Sequence, residues 1–502
     1  MAGIQYAGEY EIEEVNLFSS SGNVIPLNSL IIQLVLFENI FSATMSGQIT
    51  LIDTNSIVLN LPIIGQEYLS FKIKTASLGD EGGDPYGNKG IIDYTENVFS
   101  IYKIDARIME GQSEVIILHF TSSEMMRNNR TRISKSYTNS IDKIVIDVLQ
   151  NERYLNSKKD LFIDETIGVR KFVVPNNQPF TFIQKLASEA ISQKHNGSPY
   201  FLFYENKDGI HFRSLDGLYN QPIIAEYNTG KFFHQPSSGT VGRDVLAEYS
   251  RPINHQIVQS NDMLSSVRGG LLGSTLITHN IYKKNYDKTS FRYFEEFPKS
   301  NRIGKTPIYN DNVIDELGNR VDSFTDANIH LHPTSKIGEQ DAQYYTTTAG
   351  NAGGDYIHEG GVVESGDIGQ QSQQITTPYS PNRIENSLLH RQAKFLELRN
   401  GVALNIEVHG MTNIAVGQII NFEMLVVGET HLYGVRGRDE ADPYYSGKYL
   451  ITELRHDFNE VPQRNHINHM TIVKDGYKRK LQQNADAKEP KRSTKGIVHI
   501  NS

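Results

Sequence analysis

A short module is written twice in this chain, first at Ser46–Asp53 (SGQITLID) with Ile64–Ile73 (IGQEYLSFKI), and again at Val402–Val408 (VALNIEV) with Val416–Met424 (VGQIINFEM). Each copy reads as an alternating strand, a Gly-Gln turn and a second strand, because side chains on one face of a strand recur at every second position. A third strand completes each copy, at Phe99–Ile104 and at Ser446–Thr452. Three copies of a chain with two similar modules supply six modules, so the repeat predicts an assembly role rather than catalysis.

The two Gly-Gln turns supply the candidate interface residues, and we expect them to occupy equivalent positions in two similar barrels. Strands such as Leu30–Phe37 or Ser46–Asp53 are expected to pair across barrels, because an edge strand presents unpaired backbone groups. Unrelated folds in residues 30–120 and 400–475 would contradict this prediction. The candidate interface residues are Gly65, Gln66, Gly417 and Gln418.

Composition limits the chemistry that this chain can perform. Its 502 residues contain neither cysteine nor tryptophan, and a chain of this length suffices for roughly three domains. The lack of cysteine removes thiol nucleophiles, disulfides and thiolate zinc sites. A net charge of −9 argues against a nucleic-acid-binding surface. We expect no membrane span and no signal peptide, because Gln33 interrupts the apolar run of Leu30–Phe37 and residues 1–5 lack a basic region.

The order of strand and helix patterns predicts an α+β, β-rich fold with two similar antiparallel β-barrel domains. Helical spacing occurs at residues 141–149, 182–191 and 386–396, and Tyr200–Tyr204 with Ile210–Arg213 reads as a hairpin. The predicted parts are a first barrel at 1–121, an α+β domain with two helices and a hairpin at 122–237, a second barrel at 238–292 plus 390–475, a Gly-rich and polar insertion at 293–389, and a basic flexible tail at 476–502.

The chain lacks a recognisable catalytic or cofactor motif. Gly304–Thr306 ends like a phosphate loop, but Lys299 stands where the first glycine is needed, so a turn is expected. Gly269–Gly273 lacks the dinucleotide pattern and is expected to be an element boundary with close backbone packing. The sequence has no Gly-x-Ser-x-Gly elbow. We therefore predict no catalytic residue, no cofactor-binding residue and no enzymatic activity.

Histidine pairs are the remaining candidates for a metal site. His466 and His469 lie three residues apart on a predicted strand, which places them on opposite faces and prevents joint chelation. His330 and His332 share one side if the backbone is extended, but they fall in the predicted insertion. We therefore predict no metal site.

The order of these elements resembles the central hub protein of contractile-tail baseplates in bacteriophages, and the hub portion of the type VI secretion spike. The resemblance covers most of residues 28–475 and departs from the family at about 293–389. Its single motifs are not specific, but their order is. The resemblance is carried by Met45–Asp53 with Ile64–Glu67, Pro179–Ala187, Tyr200–Tyr204 with Gly209–Phe212, Gly269–Gly270 with Ser274–His279, Asn413–Phe422 and Ser446–Phe458.

The resemblance implies a structural role in the virion, at the tail baseplate of a contractile injection system, after assembly in the host cytoplasm. In that family two barrel tube domains lie in one chain, and three chains form a ring with pseudo-sixfold symmetry. One face of the ring meets the sixfold tail tube, and the other holds a trimeric spike. The implied chain is a homotrimeric symmetry adaptor. Its implied partners are the central spike, the tail tube or tube-initiator protein, baseplate wedge proteins and the tape-measure protein, with no nucleic-acid specificity.

Two other functions stay open from the residues alone. One is a virion-associated enzyme that degrades glycan or peptidoglycan with carboxylates that carry no sequence signature. The other is a peripheral receptor-binding protein, for which a β-helix or lectin-like repeat is expected, and neither is visible in the sequence. The chain also lacks the β-helix of a fused spike and a lysozyme-like portion, so puncturing and peptidoglycan cutting are expected to belong to separate chains.

Overall fold

A computed structural model describes most of the chain. The predicted insertion between 311 and 383 and the predicted tail from 480 onward lie largely outside the described residues. No helix in the described ranges is long and apolar enough to cross a bilayer. The described residues are 6–20, 22–53, 63–75, 90–110, 113–195, 197–229, 248–281, 284–310, 327–333, 356–358, 361–363, 384–425, 441–461 and 463–479.

The first barrel is built from strands that alternate between a buried and a more exposed face. Its strands are β1 (Tyr10–Phe18), β2 (Val24–Pro26), β3 (Ile31–Asn39), β4 (Ser46–Asp53), β5 (Tyr68–Thr75), β6 (Ile91–Asp93), β7 (Phe99–Glu110) and β8 (Ser113–Ser122). They hydrogen-bond in the order β3-β4-β8-β7-β5-β1. The rings of Phe71, Phe99 and Phe120 meet in the core. Gly47 lies against them, because a Cβ atom there would come within 2.3 Å of the Phe120 ring.

A helix and hairpin domain follows the first barrel. Its elements are α1 (Ser123–Arg130), β9 (Ile133–Asn139), α2 (Ile141–Gln150), β10 (Leu161–Ile163), β11 (Arg170–Asn177), α3 (Pro179–Glu189), β12 (Phe201–Asn206), β13 (Gly209–Ser214) and α4 (Leu215–Tyr219). The apolar stripes of α2 and α3 share one buried core with the β12–β13 hairpin. The two helices and the hairpin predicted from the sequence are confirmed.

The chain then enters the second barrel, leaves it and returns. The elements in this part are β14 (Ile223–Asn228), β15 (Pro252–Gln259), α5 (Met263–Gly269), β16 (Gly273–Asn280), β17 (Asn285–Arg292), α6 (Tyr293–Glu296), a 3-10 turn at Phe297–Lys299, β18 (Ile329–Pro333), the hairpin of β19 (Tyr356–His358) with β20 (Gly361–Val363), and α7 (Ile384–Asn400). β16 to β18 form a separate sheet in the order β17-β16-β18. This sheet shares a buried cluster with α7 through Leu276, Phe291 and Leu389.

The second barrel is completed by four further strands. They are β21 (Val402–His409), β22 (Ile419–Glu423), β23 (Gly447–Asn459) and β24 (Asn465–Lys474). Its strands hydrogen-bond in the order β15-β21-β24-β23-β22-β14. The alternation of apolar residues in β21 and β24 gives this barrel its own buried core.

The two barrels have the same strand order and share an irregularity. β3, β4, β8, β7 and β5 correspond in order to β15, β21, β24, β23 and β22. The ladder of β7 with β8 shifts register between Ile101 and Lys103, and the ladder of β23 with β24 shifts between Ile451 and Glu453. A β-bulge therefore stands at the same place in both barrels. They differ at one edge, because β1 is antiparallel to β5 whereas β14 is parallel to β22.

Several sequence expectations are resolved by these elements. Gly270 closes α5 with a left-handed φ of 84°, so the predicted element boundary is confirmed. His330 and His332 lie in strand β18, not in irregular chain, because β18 pairs with β16. The predicted domain bounds stay a prediction, although three strands depart from them. β14 lies in the second barrel from within the range 122–237, and β16 and β17, from within the range 238–292, lie outside that barrel.

A buried charged triad fastens the helix and hairpin domain to the first barrel. Lys159 Nζ lies 2.7 Å from a Glu124 oxygen and 2.6 Å from a Glu205 oxygen. The second Glu205 oxygen accepts hydrogen bonds from Ser122 Oγ and the Met45 N–H of the barrel. Burial alone would lower the pKa of Lys159, but the two carboxylates raise it above its usual value. The ammonium group therefore stays charged between them.

Removal of the buried cation tests how much this triad contributes. We expect Lys159→Ala to lower the free energy of unfolding by about 3–5 kcal/mol, because it leaves two carboxylates buried without a cation. Urea denaturation followed by circular dichroism measures the change. Lys135→Ala is the matched control, because its ion pair with Asp147 is largely exposed and such pairs contribute about 0–1 kcal/mol. Equal losses for the two variants would contradict this reading of the triad.

Candidate assembly interface

The two barrels of one chain are joined by strand pairing, which we call the inter-barrel seam: β3 paired antiparallel with the second half of β23. The register runs from Asn39 opposite Glu453 to Gln33 opposite Asn459. Cross-strand side chains support it, since Asn39 Nδ2 donates to Glu453 at 2.9 Å and Gln33 Nε2 donates to Asp457 at 2.7 Å. One sheet therefore runs without interruption through both barrels. The predicted pairing of Leu30–Phe37 across barrels is confirmed within the chain.

Glu38 ties three domains together at this seam. It lies on β3 and is fully buried, with one carboxylate oxygen accepting from the Val416 N–H of the second barrel at 2.9 Å. The other oxygen accepts from the Lys207 N–H, in the turn of the β12–β13 hairpin, also at 2.9 Å. Burial raises the pKa of Glu38 to about 8, against the opposing effect of the Val416 N–H. Loss of this side chain would leave two buried donors without their acceptor.

A pair of buried histidines lies beneath the seam. His456 Nδ1 and His466 Nε2 are 3.2 Å apart, and the ring of Phe458 stacks on both imidazoles. Burial lowers the pKa of His456 to about 3 and that of His466 well below its usual value. The two rings are therefore neutral at physiological pH and act as core residues.

The two Gly-Gln turns enter corresponding strands. Gly65 and Gly417 adopt φ angles of 87° and 83°, which glycine tolerates far better than other residues. Each turn stands immediately before its strand, β5 or β22, and beside the bulged strand, β7 or β23. The turns thus lie at the same place in the two barrels. The interface role of Gly65, Gln66, Gly417 and Gln418 stays a prediction.

The structural match between the two turns is shifted by one residue from the match of their Gly-Gln letters. The N–H of Ile101 donates to the carbonyl of Glu67, and the N–H of Ile451 donates to the carbonyl of Gln418. Glu67, rather than Gln66, is therefore the counterpart of Gln418. Both side chains accept backbone N–H groups of their own turn. The alternation of buried residues could have revealed this offset, because Leu69 and Ile420 both point into a core.

The two turns differ in what covers them. A Cβ atom on Gly417 would lie 2.3 Å from the hydroxyl of Tyr204, and Gln221 Nε2 donates to the Gly417 carbonyl at 2.8 Å. The second turn is thus covered by the helix and hairpin domain of its own chain. At the first turn, in contrast, Ile64 and Gln66 are exposed.

Among the strand edges that lack a strand partner in the described residues, two matter for assembly. β15 pairs with β21 on one side only, and six of its eight residues are exposed. β7 pairs with β5 only through Phe99 and Ser100, so its edge is unpaired from Lys103 onward. These are the edges that correspond to the two strands of the inter-barrel seam. Apolar side chains are exposed along both, at Ile253, Ile257, Val258 and Ile108.

The residues considered for chemistry take structural positions. His466 is buried and His469 is partly exposed on the opposite face of β24, as predicted. Gly304–Thr306 runs against Gly476 and Tyr477, and it makes backbone hydrogen bonds to Tyr477. Within the described ranges, no group of three histidine or acidic side chains is placed to hold a metal ion.

The raised pKa of Glu38 predicts a pH dependence of stability. Between its ordinary pKa of 4.5 and its folded pKa of about 8, the folded chain binds a proton that the unfolded chain releases. Stability therefore falls as pH rises through this window, by at most about 1.4 kcal/mol per pH unit. Glu38→Gln cannot titrate, so its unfolding free energy should lack this slope. Urea denaturation at pH 5 to 9 compares the two, and parallel curves would contradict the assignment.

No family model matches the chain, but a curated protein is similar to it. The chain is similar to the probable baseplate hub protein gp334 of Vibrio phage KVP40, with 20% identity over 356 residues, 69% of each chain. This finding confirms the resemblance predicted from the order of the motifs. The similarity supports a structural role of the kind found in phage tail baseplates.

Solved structures of tail proteins are also similar to this chain. A tail protein from Neisseria meningitidis MC58 has 8% identity and a TM-score of 0.47, covering 93% of this chain and 97% of that chain. The 43 kDa tail protein of prophage MuSo2 from Shewanella oneidensis has 7% identity and a TM-score of 0.46, covering 92% of this chain and 98% of that chain.

Proposed function

We propose that this chain is a structural baseplate hub of a phage tail, and that three copies form a pseudo-sixfold ring. The ring joins the sixfold tail tube, or a tube-initiator protein, to a trimeric central spike. Baseplate wedge proteins and the tape-measure protein are its further partners. The similarity to a baseplate hub protein supports the class, and the duplicated barrel supports the symmetry.

The inter-barrel seam is the observation that carries the ring proposal. Within one chain the edge of β3 is covered by β23. Because the two barrels have the same strand order, β15 holds the position in the second barrel that β3 holds in the first. In the same way, β7 holds the position in the first barrel that β23 holds in the second. β15 of one chain is therefore positioned to cover β7 of the next, as β3 covers β23. Such heterologous contacts close into a ring when the rotation between barrels is one sixth of a turn.

The in-chain register fixes the register expected between chains. Asn39 lies opposite Glu453 in the seam, and Lys103 is the counterpart of Glu453 in the other bulged ladder. The ladders of β3 and β15 end at Phe37 and Gln259, and counting two residues onward from each makes Asn261 the expected counterpart of Asn39. Towards the other end, Val35 lies opposite Asp457, and the counterparts are Gln256 and Ile108.

The exposed strand edges carry apolar side chains, as expected of edges that are buried on assembly. Ile108 and Val258 are more than half exposed in the single chain, and apolar edge strands invite pairing with another chain. The face of the continuous sheet that points away from both cores is polar, with His119 contacting Asp105 and Thr471 contacting Asn405. A ring of three copies therefore encloses a polar, hydrated channel between the tube side and the spike side.

Charge on either edge should prevent ring formation. We expect Ile257→Lys and Ile108→Lys each to convert the trimer to monomer, because each would place an ammonium group in a paired strand edge. Analytical ultracentrifugation measures the mass. Leu331→Lys is the control, since Leu331 is also an exposed apolar residue but lies on the separate sheet of β16 to β18. A wild-type monomer at all accessible concentrations would contradict the ring.

Binding separates the hub from its alternatives. The purified trimer is mixed with the tail tube and central spike proteins of the same phage, and the complexes are imaged by electron microscopy. A hub binds the tube on one face and the spike on the other, and it leaves no clearing in a zymogram on host cell walls. Clearing without binding would favour the degrading enzyme, and binding to host cells alone would favour the receptor-binding protein.

A further inference from the structure

The chain beyond the inter-barrel seam inserts an apolar residue into the neighbouring barrel. Ile40 is the first residue after β3, and its N–H donates to the carbonyl of the bulged residue Thr452 at 3.0 Å. Its side chain is fully buried in a cluster that includes Val416 and Ile419, at the turn that enters β22. The seam within one chain is therefore closed at this end by an apolar plug.

The corresponding end of β15 also carries apolar residues, but they are exposed. The corresponding ladders end at Phe37 and Gln259, and Asp262 follows Gln259 by the same three residues by which Ile40 follows Phe37. It caps α5, whose first two residues are Met263 and Leu264. Leu264 is 80% exposed, although a leucine gains free energy when it is buried.

A receiving surface is exposed at the corresponding place on the first barrel. Tyr102 is the bulged residue of β7, the counterpart of Thr452, and its backbone lies against Gly65. Tyr68 is the counterpart of Ile419, because each begins its strand opposite the same position of the bulged strand. Ile419 is 1% exposed, whereas Tyr68 is 47% exposed. Ile64 and Tyr102 are exposed as well, so the described residues leave apolar side chains uncovered on both sides of the first Gly-Gln turn.

We propose that the first turn of α5 in one protomer, through Met263 and Leu264, docks on the surface of Ile64, Tyr68 and Tyr102 in a second copy of this chain. The position of this contact is inferred from the buried Ile40 at the corresponding end of the in-chain seam. The two surfaces complement one another because both expose apolar side chains. The contact rests on the proposed ring, because it lies at the end of the same pairing of β15 with β7. It assigns Gly65 and Gln66 to an interface between protomers.

The test measures the dissociation constant of the trimer for Leu264→Asp. We expect association to weaken by about tenfold or more, because burial of a leucine side chain is replaced by that of a charge. Leu331→Asp is the control and should leave the constant unchanged. Each substitution is at an exposed position, so circular dichroism and urea denaturation of the monomer should match those of the wild type.

A double-mutant cycle then identifies the partner surface. Leu264→Ala and Tyr68→Ala should each weaken association, and their combination should weaken it by less than the product of the two effects. Full additivity, or an unchanged constant for Leu264→Asp, would overturn the docking contact. The edge variants distinguish this failure from a failure of the ring: if Ile257→Lys still abolishes the trimer, the proposed function stands without this contact.

Discussion

The antiparallel pairing of β3 with β23 is the constraint on which the rest of the structure depends. It joins two barrels that otherwise have separate cores, and it covers a strand edge in each. It also buries the carboxyl group of Glu38, whose two oxygens accept the N–H groups of Val416 and Lys207 from two other domains. Because an unsatisfied buried acceptor or donor costs about 1–3 kcal/mol, this one side chain favours a single arrangement of the three domains.

Duplication with an insertion makes the two barrels similar but distinguishable. The strand order and the bulge are common to both, which is what a ring of six barrels requires. The helix and hairpin domain, however, covers the turn at Gly417 and not the turn at Gly65. Within the described part of the chain, each protomer thus presents one turn that this domain covers and one that it does not. In the proposed ring this alternation reduces sixfold symmetry to threefold, so one assembly can meet partners of both symmetries.

Local patterns in the sequence predicted much of the fold, since alternation and helical spacing are properties of neighbouring residues. The strands around Ser46–Asp53, the two helices and the repeated Gly-Gln turns were accessible in this way. The partners of Glu38 were not, because they lie 169 and 378 residues away in the chain. Equivalence of the turns was visible from the repeated Gly-Gln, but the register of Glu67 with Gln418 follows only when the alternating core residues of β5 and β22 are matched instead.

Engineered disulfides test most directly whether the in-chain seam is repeated between chains, because the chain has no cysteine of its own. Residues directly opposite in antiparallel strands have Cα atoms about 4.5–5.5 Å apart, within the range of a disulfide. The variant Lys103→Cys with Asn261→Cys is oxidised and run on a non-reducing gel beside Asn39→Cys with Glu453→Cys, the corresponding pair inside one chain. A repeated seam predicts covalent trimers for the first variant and an internally linked monomer for the second. Monomers from both variants, with only the second linked, would contradict it.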